Sequence, residues 1–146
     1  METISQQIKE TVLAAKNDFE KISEDISGYK EAPNKWSKKE ILGHLIDSAL
    51  NNHQRFVRAA YDAASDFPGY NQDLWVAIQH YNERSWNDLI ELFTVSNIHL
   101  CNALNRFPED GLQNKCNFGR HGIVPIEFVA EDYLRHLKHH IEKIIN

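Results

Sequence analysis

Ile4, Ile8, Val12, Ala15, Phe19, Ile22 and Ile26 recur at steps of three and four residues, and the same periodicity returns in three later stretches. Residues at that spacing share one face of an α-helix, because each residue turns the helix by about 100°. Four helices, each with an apolar stripe, must bury those stripes against one another. The expectation is an all-α fold, a four-helix bundle. No strand pattern is strong enough to alter that class. At 146 residues a single domain spanning 1–146 is expected, with core enough to need no disulfide or metal staple.

Local signals place the breaks. The first helix is predicted over residues 2–27, stopped by Gly28. Residues 28–36 read as a loop. Ser37 and Glu40 form a capping box, with Trp36 and Ile41 placed as a hydrophobic staple. The second helix then runs from Lys38 to about Ala64, ahead of the break Ser65-Asp-Phe-Pro-Gly69. A short amphipathic piece follows around Asp73 to Ile78. Asn82 or Ser85 can cap the third helix, whose apolar positions run from Leu89 to Leu104. Residues 107–124 form a long connection, and Pro125 suits the first turn of the last helix.

The formal net charge is −5, with no basic cluster, which argues against a nucleic-acid partner. No apolar run reaches the length of a membrane span, and the N-terminus has no signal-peptide pattern. A cytoplasmic protein acting on a small molecule is the expectation. Cys101 and Cys116 have no zinc-knuckle spacing and are read as free thiols.

The last helix carries His136, His139 and His140. On a helical wheel Ile126, Tyr133, Leu137 and Ile144 form the buried stripe. His140 falls inside that stripe, His136 on its edge, and His139 off it near Asp132 and Lys143. His136 and His140 are about 6 Å apart along the axis and face the same way. A buried imidazole needs a partner, either a metal ion or a hydrogen-bonding group. Alone, the pair is read as packed core.

The second helix changes the balance. Leu42, Ile46, Ala49, Phe56 and Ala60 lie on one side. Glu40, His44, Asp47, Ser48, Asn51 and Arg55 line up on another. A solvated face is the ordinary fate of such a stripe, but Ile41 and Leu45 flank it, and its mixture of groups is unlike a Lys/Glu surface. His44 can therefore join His136 and His140 across facing helices. Three neutral imidazoles with a fourth position open is the pattern of a catalytic zinc-type site.

Trp36-Ser-Lys-Lys-Glu-Ile-Leu-Gly-His-Leu-Ile-Asp-Ser48 and Arg135-His-Leu-Lys-His-His-Ile-Glu-Lys-Ile144 resemble the two hallmark segments of the DinB superfamily, in its YfiT-like branch of metal-dependent hydrolases. Phe67-Pro-Gly-Tyr-Asn-Gln-Asp-Leu-Trp75 and His121-Gly122 are similar to two further segments of that branch. The resemblance implies an up-down-down-up bundle with a divalent metal on His44, His136 and His140. It implies thiol S-transferase or hydrolase chemistry and a homodimer. Gly43 and Ala49 stand where the branch often has histidines, which bears on substrate choice rather than on the triad.

Several readings stand side by side. Asp47 either orients a ligand and accepts a proton, as the catalytic residue, or is a surface carboxylate. Asn51 and Arg55 either bind an anionic group at the pocket mouth or are solvated. His139, His53, His80 and His99 are read as exposed or structural, and Trp36, Trp75 and Trp86 as core or staple. His121 sits in a loop that either covers the site or is plain surface. The expected cofactor is zinc or nickel, with iron, manganese or copper also suited, together with a low-molecular-weight thiol. The competing function is a non-enzymatic, stress-linked dimeric bundle with a structural or vestigial metal. A third reading is metal-free ligand binding.

Overall fold

The computed structural model describes residues 1–64 and 66–146, except the side chain of Arg120. It is 72% helical. Four long helices form the bundle: α1 (Glu2–Phe19), α3 (Lys38–Tyr61), α5 (Trp86–Asn105) and α6 (Ile126–Ile145). Two short helices, α2 (Glu24–Gly28) and α4 (Gln72–Gln79), lie in the connections. The long connection before α6 holds a small antiparallel hairpin, β1 (Lys115–Asn117) and β2 (Ile123–Pro125), with Cys116 opposite Val124. It leaves the class unchanged.

Specific contacts give the directions. Trp86 Nε1 at the start of α5 donates to the Phe19 carbonyl at the end of α1, and Ser5 Oγ donates to the Cys101 carbonyl. These helices are antiparallel. The Lys38 ammonium donates to the Ile144 carbonyl, so α3 and α6 are also antiparallel. Ser37 and Asn82 meet before the starts of α3 and α5, while His53 and His99 stack further along, so those two run parallel. The order is up-down-down-up, with α1 across from α3 and α5 across from α6.

Parallel neighbours need a long return. At 24 residues α3 is about 36 Å long, and residues 62–85 must cover that length before α5 can begin. This crossover strap carries α4 and a 3₁₀ turn at 81–83, and it packs against α3.

The core fills the space between the helices. Phe19 lies 5.8 Å from both Trp86 and Phe93 by ring centroid. Ile8, Leu42, Phe56, Leu100, Val129 and Leu137 are fully buried around it. Both cysteines are free and buried, as expected, and burial pushes both thiols up in pKa.

Several boundaries differ from the periodic reading. The helix predicted over 2–27 breaks after Phe19, because Ser23 caps a new helix by accepting from Ile26 N. Ile26 is consequently exposed, and Glu24 turns back to bond Lys39 and the Trp86 backbone. α3 stops at Tyr61 rather than Ala64, since Asp62 is extended and its carboxylate accepts from Ala64 N. Ser65, the first residue of the expected break, lies outside the described residues. Ser85 caps α5, which frees Asn82 to accept from Ser37 Oγ at 2.6 Å. Pro125 is the cap residue of α6 rather than a member of its first turn. Trp75 is 39% exposed and lies against Tyr70, so it is no core residue.

The capping box at Ser37 is complete, and its hydroxyl also ties α3 to the strap. Ser37→Ala should cost about 1–2 kcal/mol of stability, read as a lower urea midpoint with unchanged slope.

Candidate metal centre

His44 enters from α3, and His136 and His140 enter from α6, one turn apart. The three ring centroids lie 5.0, 4.9 and 4.5 Å from one another. His44 Nε2 is 3.0 Å from His136 Nε2, and one ligating atom from each ring falls within 4.8 Å of the others. Nitrogens on a tetrahedral zinc-like ion stand roughly 3.3 Å apart, so the cluster is close to a ligand set. His44 is 2% exposed, and the other two are half-buried. His139 points outward, as the wheel predicts.

Burial keeps these rings neutral. Desolvation, aided by His136 and Lys143, lowers the pKa of His44 to about 4. Desolvation, with the neighbouring imidazoles and Lys143, takes His140 to about 3. His136 is also lowered, mainly by desolvation. Neutral imidazoles offer lone pairs at neutral pH, the form a metal requires. His44 Nδ1 and His140 Nδ1 are buried with no hydrogen-bond partner among the described residues. Three neutral imidazoles with one nitrogen each brought within 4.8 Å, and two further buried ring nitrogens without a partner, fit a divalent cation better than a closed core.

Asp47 lies on the same helix face as His44 and is 1% exposed, so its surface reading does not hold. Its Oδ1 accepts from Gln79 Nε2 and from the Tyr81 hydroxyl, each at 2.7 Å. Its Oδ2 is buried without a partner among the described residues. Desolvation raises the Asp47 pKa, and the two hydrogen bonds oppose that rise. Tyr81 in turn packs flat on Gly43. A Cβ built at Gly43 would sit 2.1 Å from the Tyr81 ring. A side chain at position 43 and this placement of Tyr81 exclude each other, which explains a glycine directly before His44.

The triad forms a wall between two clefts. His140 lines a larger one of about 660 Å³ with Trp36, Lys38 and Lys143. His44 and His136 line a smaller one of about 280 Å³ with Asn52, Arg55, Tyr70 and Phe118. The strap residue Gln72 borders both. Trp36 is 5.2 Å from the His44 ring, so the staple residue also shields the triad.

The other expected residues divide. Arg55 lines the smaller cleft. Asn51 turns its amide back to the Asp47 carbonyl and is absent from that lining; it borders a third cleft, which Arg55 also touches, with Arg58 and Asp66. Its neighbour Asn52 takes the place expected of it. The long connection does reach the site, through Phe118, while His121 packs between Phe118 and Phe128. His53 and His99 stack on each other at 4.4 Å, away from the triad. Gln79, Tyr81 and Tyr70 carried no periodic signal. Only the Phe67-Pro-Gly-Tyr70 motif hinted that the strap belongs to the site.

A sequence model of the DinB superfamily matches residues 11–144. A protein of Oceanobacillus iheyensis, named as a candidate metal-dependent hydrolase, is 26% identical over 144 residues, covering 99% of this chain and 79% of its own. YfiT from Bacillus subtilis, described as a candidate metal-dependent hydrolase with an unusual four-helix bundle topology, superposes with a TM-score of 0.85 at 17% identity, over 97% of this chain and 82% of its own. A mycothiol-dependent maleylpyruvate isomerase superposes with a TM-score of 0.78 at 14% identity, over 97% of this chain and 59% of its own. At those identities the two structures share the fold with this chain.

Two outcomes follow from the packing. Gly43→Ala should cost about 2 kcal/mol or more, because neither the helix nor the buried Tyr81 ring can yield freely. Replacing Tyr81 by Ala in the same chain should recover part of that loss in a double-mutant cycle. Acid should also weaken the metal-free chain. Unfolded imidazoles take up protons near pH 6.5, whereas His44 resists to about 4 and His140 to about 3. Between those values the unfolded state binds more protons, so stability falls as pH falls. Asp47 acts in the opposite sense, since its raised pKa lets the native state protonate first. The histidines outnumber it, and a urea midpoint that stays flat from pH 7 to about pH 4 would contradict the account.

Proposed function

The chain belongs to the DinB superfamily, and we propose that within it this protein is a divalent-metal-dependent enzyme acting on a small electrophile. His44, His136 and His140 are the ligands in this reading, and the cluster of their nitrogens within 4.8 Å is the observation that carries it. A divalent ion so held is a Lewis acid that lowers the pKa of a water or thiol, supplying a nucleophile near neutral pH.

The chain's own residues supply the rest. Asp47 keeps Oδ1 engaged by Gln79 and Tyr81, which fixes the carboxylate and leaves Oδ2 to accept a proton. Its raised pKa moves it toward the range useful to a general base. The two clefts give separate approaches to the triad, one from each side. That suits transfer between two reactants, with a low-molecular-weight thiol as one of them, and hydrolysis is the simpler variant. Zinc or nickel is the proposed ion, although imidazole ligands also suit copper and iron. A homodimer in the cytoplasm completes the proposal.

The competing reading is a bundle with a structural metal, in which protein groups fill every position. Among the described residues the cluster offers three ligands and no fourth, which favours an open position.

Untagged protein should carry about one divalent ion per chain, and His140→Ala should lose it, as read by elemental analysis. Asp47→Asn should keep the ion while lowering turnover in a thiol-transfer or hydrolysis assay by roughly a hundredfold. Metal content unchanged in His140→Ala would sink the ligand assignment.

A further inference from the structure

Arg55 is a half-buried cation with no ion pair among the described residues. It stands eleven residues after His44 on α3, about 16 Å along the axis, yet both side chains line the 280 Å³ cleft. Its Nη1 donates to Asn52 Oδ1 at 3.3 Å. Its guanidinium carbon lies 4.9 Å from the Phe118 ring centroid and 6.0 Å from that of Phe67. Phe118 comes from the long connection and Phe67 from the strap, and Phe67 N is clipped to the Asn117 carbonyl. Two connections therefore converge to brace one guanidinium.

No carboxylate lies within ion-pair distance of Arg55 among the described residues. Asp132 lines the same cleft and its charge favours the Arg55 cation from a distance, but its carboxylate is bonded to Arg135 on its own helix. Taking an unpaired cation partly out of water is costly, and a planar fork with four N–H donors unused among the described residues matches a carboxylate. Arg55 is the lone Lys or Arg among the described lining residues and Asp132 the lone carboxylate, so the cleft suits one added negative charge at the guanidinium rather than two. A dianion would meet Asp132 unfavourably.

We propose that the small cleft is a carboxylate site, in which Arg55, braced on Phe118 and Phe67, anchors a monocarboxylate substrate whose reacting end extends along α3 toward the His44–His136 wall. The proposal names the substrate class for the site above and rests on that reading for its catalytic meaning. The distance along α3 adds a constraint: the carboxylate and the reacting centre are separated by a chain or ring, not adjacent atoms.

The test is titration calorimetry of the full chain with benzoate, benzamide and inorganic phosphate, on protein as purified and after chelator treatment. Benzoate should bind in both forms, and benzamide, its neutral analogue, at least about tenfold more weakly, since a charge-assisted pair is at stake. Arg55→Gln should lose benzoate binding by about tenfold or more while keeping the metal content of the parent and a single cooperative melting transition. Arg55→Lys, which keeps the charge and loses the fork, should fall between the two. Benzoate binding that is unaffected by Arg55→Gln, or that vanishes with the metal, overturns the proposal, because the carboxylate then sits elsewhere. Phosphate binding tighter than benzoate also overturns it. If His140→Ala keeps its metal while Arg55-dependent benzoate binding persists, the metal assignment fails and the carboxylate site stands.

Discussion

α3 is buried on two sides. Its apolar side packs on α5, and its polar side, with His44 and Asp47 almost fully enclosed, faces α6 and the crossover strap. A polar group so enclosed must find a partner or raise the free energy of the fold. Much of the architecture answers that requirement. α6 brings two imidazoles against His44. The strap brings Gln79 and Tyr81 against Asp47. Gly43 keeps the backbone bare so that the Tyr81 ring can lie there.

The parallel pairing of α3 and α5 is what makes the strap available. An up-and-down bundle would join α3 to its neighbour by a short turn and leave the polar face of α3 to water. Here the chain must travel the length of α3 before α5 starts, and the return path passes over the site. Topology thus supplies both hydrogen-bond partners of Asp47 and one wall of each cleft. The electrostatics then divide by partner. The imidazoles are driven neutral by burial and by one another, whereas Asp47 is held in place at one oxygen only.

Much of the fold was legible because the signals are local. Ser37 and Glu40 announce a helix start through bonds spanning three residues, and the structure has both. The stripes of α3, α5 and α6 follow a fixed angle per residue. The failures have physical causes too. Ile22 and Ile26 keep the period of α1, but Ser23 offers a competing cap, so the helix restarts. Trp75 reads as core by type, yet its short helix lies on the outside of the strap. Asn51 shares the wheel angle of His44 more closely than Asn52 does, but its amide is taken by the carbonyl four residues back.

The sequence by itself determined the helices and which imidazoles of α6 face inward, because helical period converts spacing into direction without reference to the rest of the chain. It also placed His44 and Asp47 on one face of α3. The tertiary structure alone decided what that face meets. Whether Asp47 is solvated or held, whether Arg55 has a counter-ion, and which loop residue reaches the cleft all depend on the path of the strap and the long connection. Those paths are set by packing between residues tens of positions apart, and no local period encodes them.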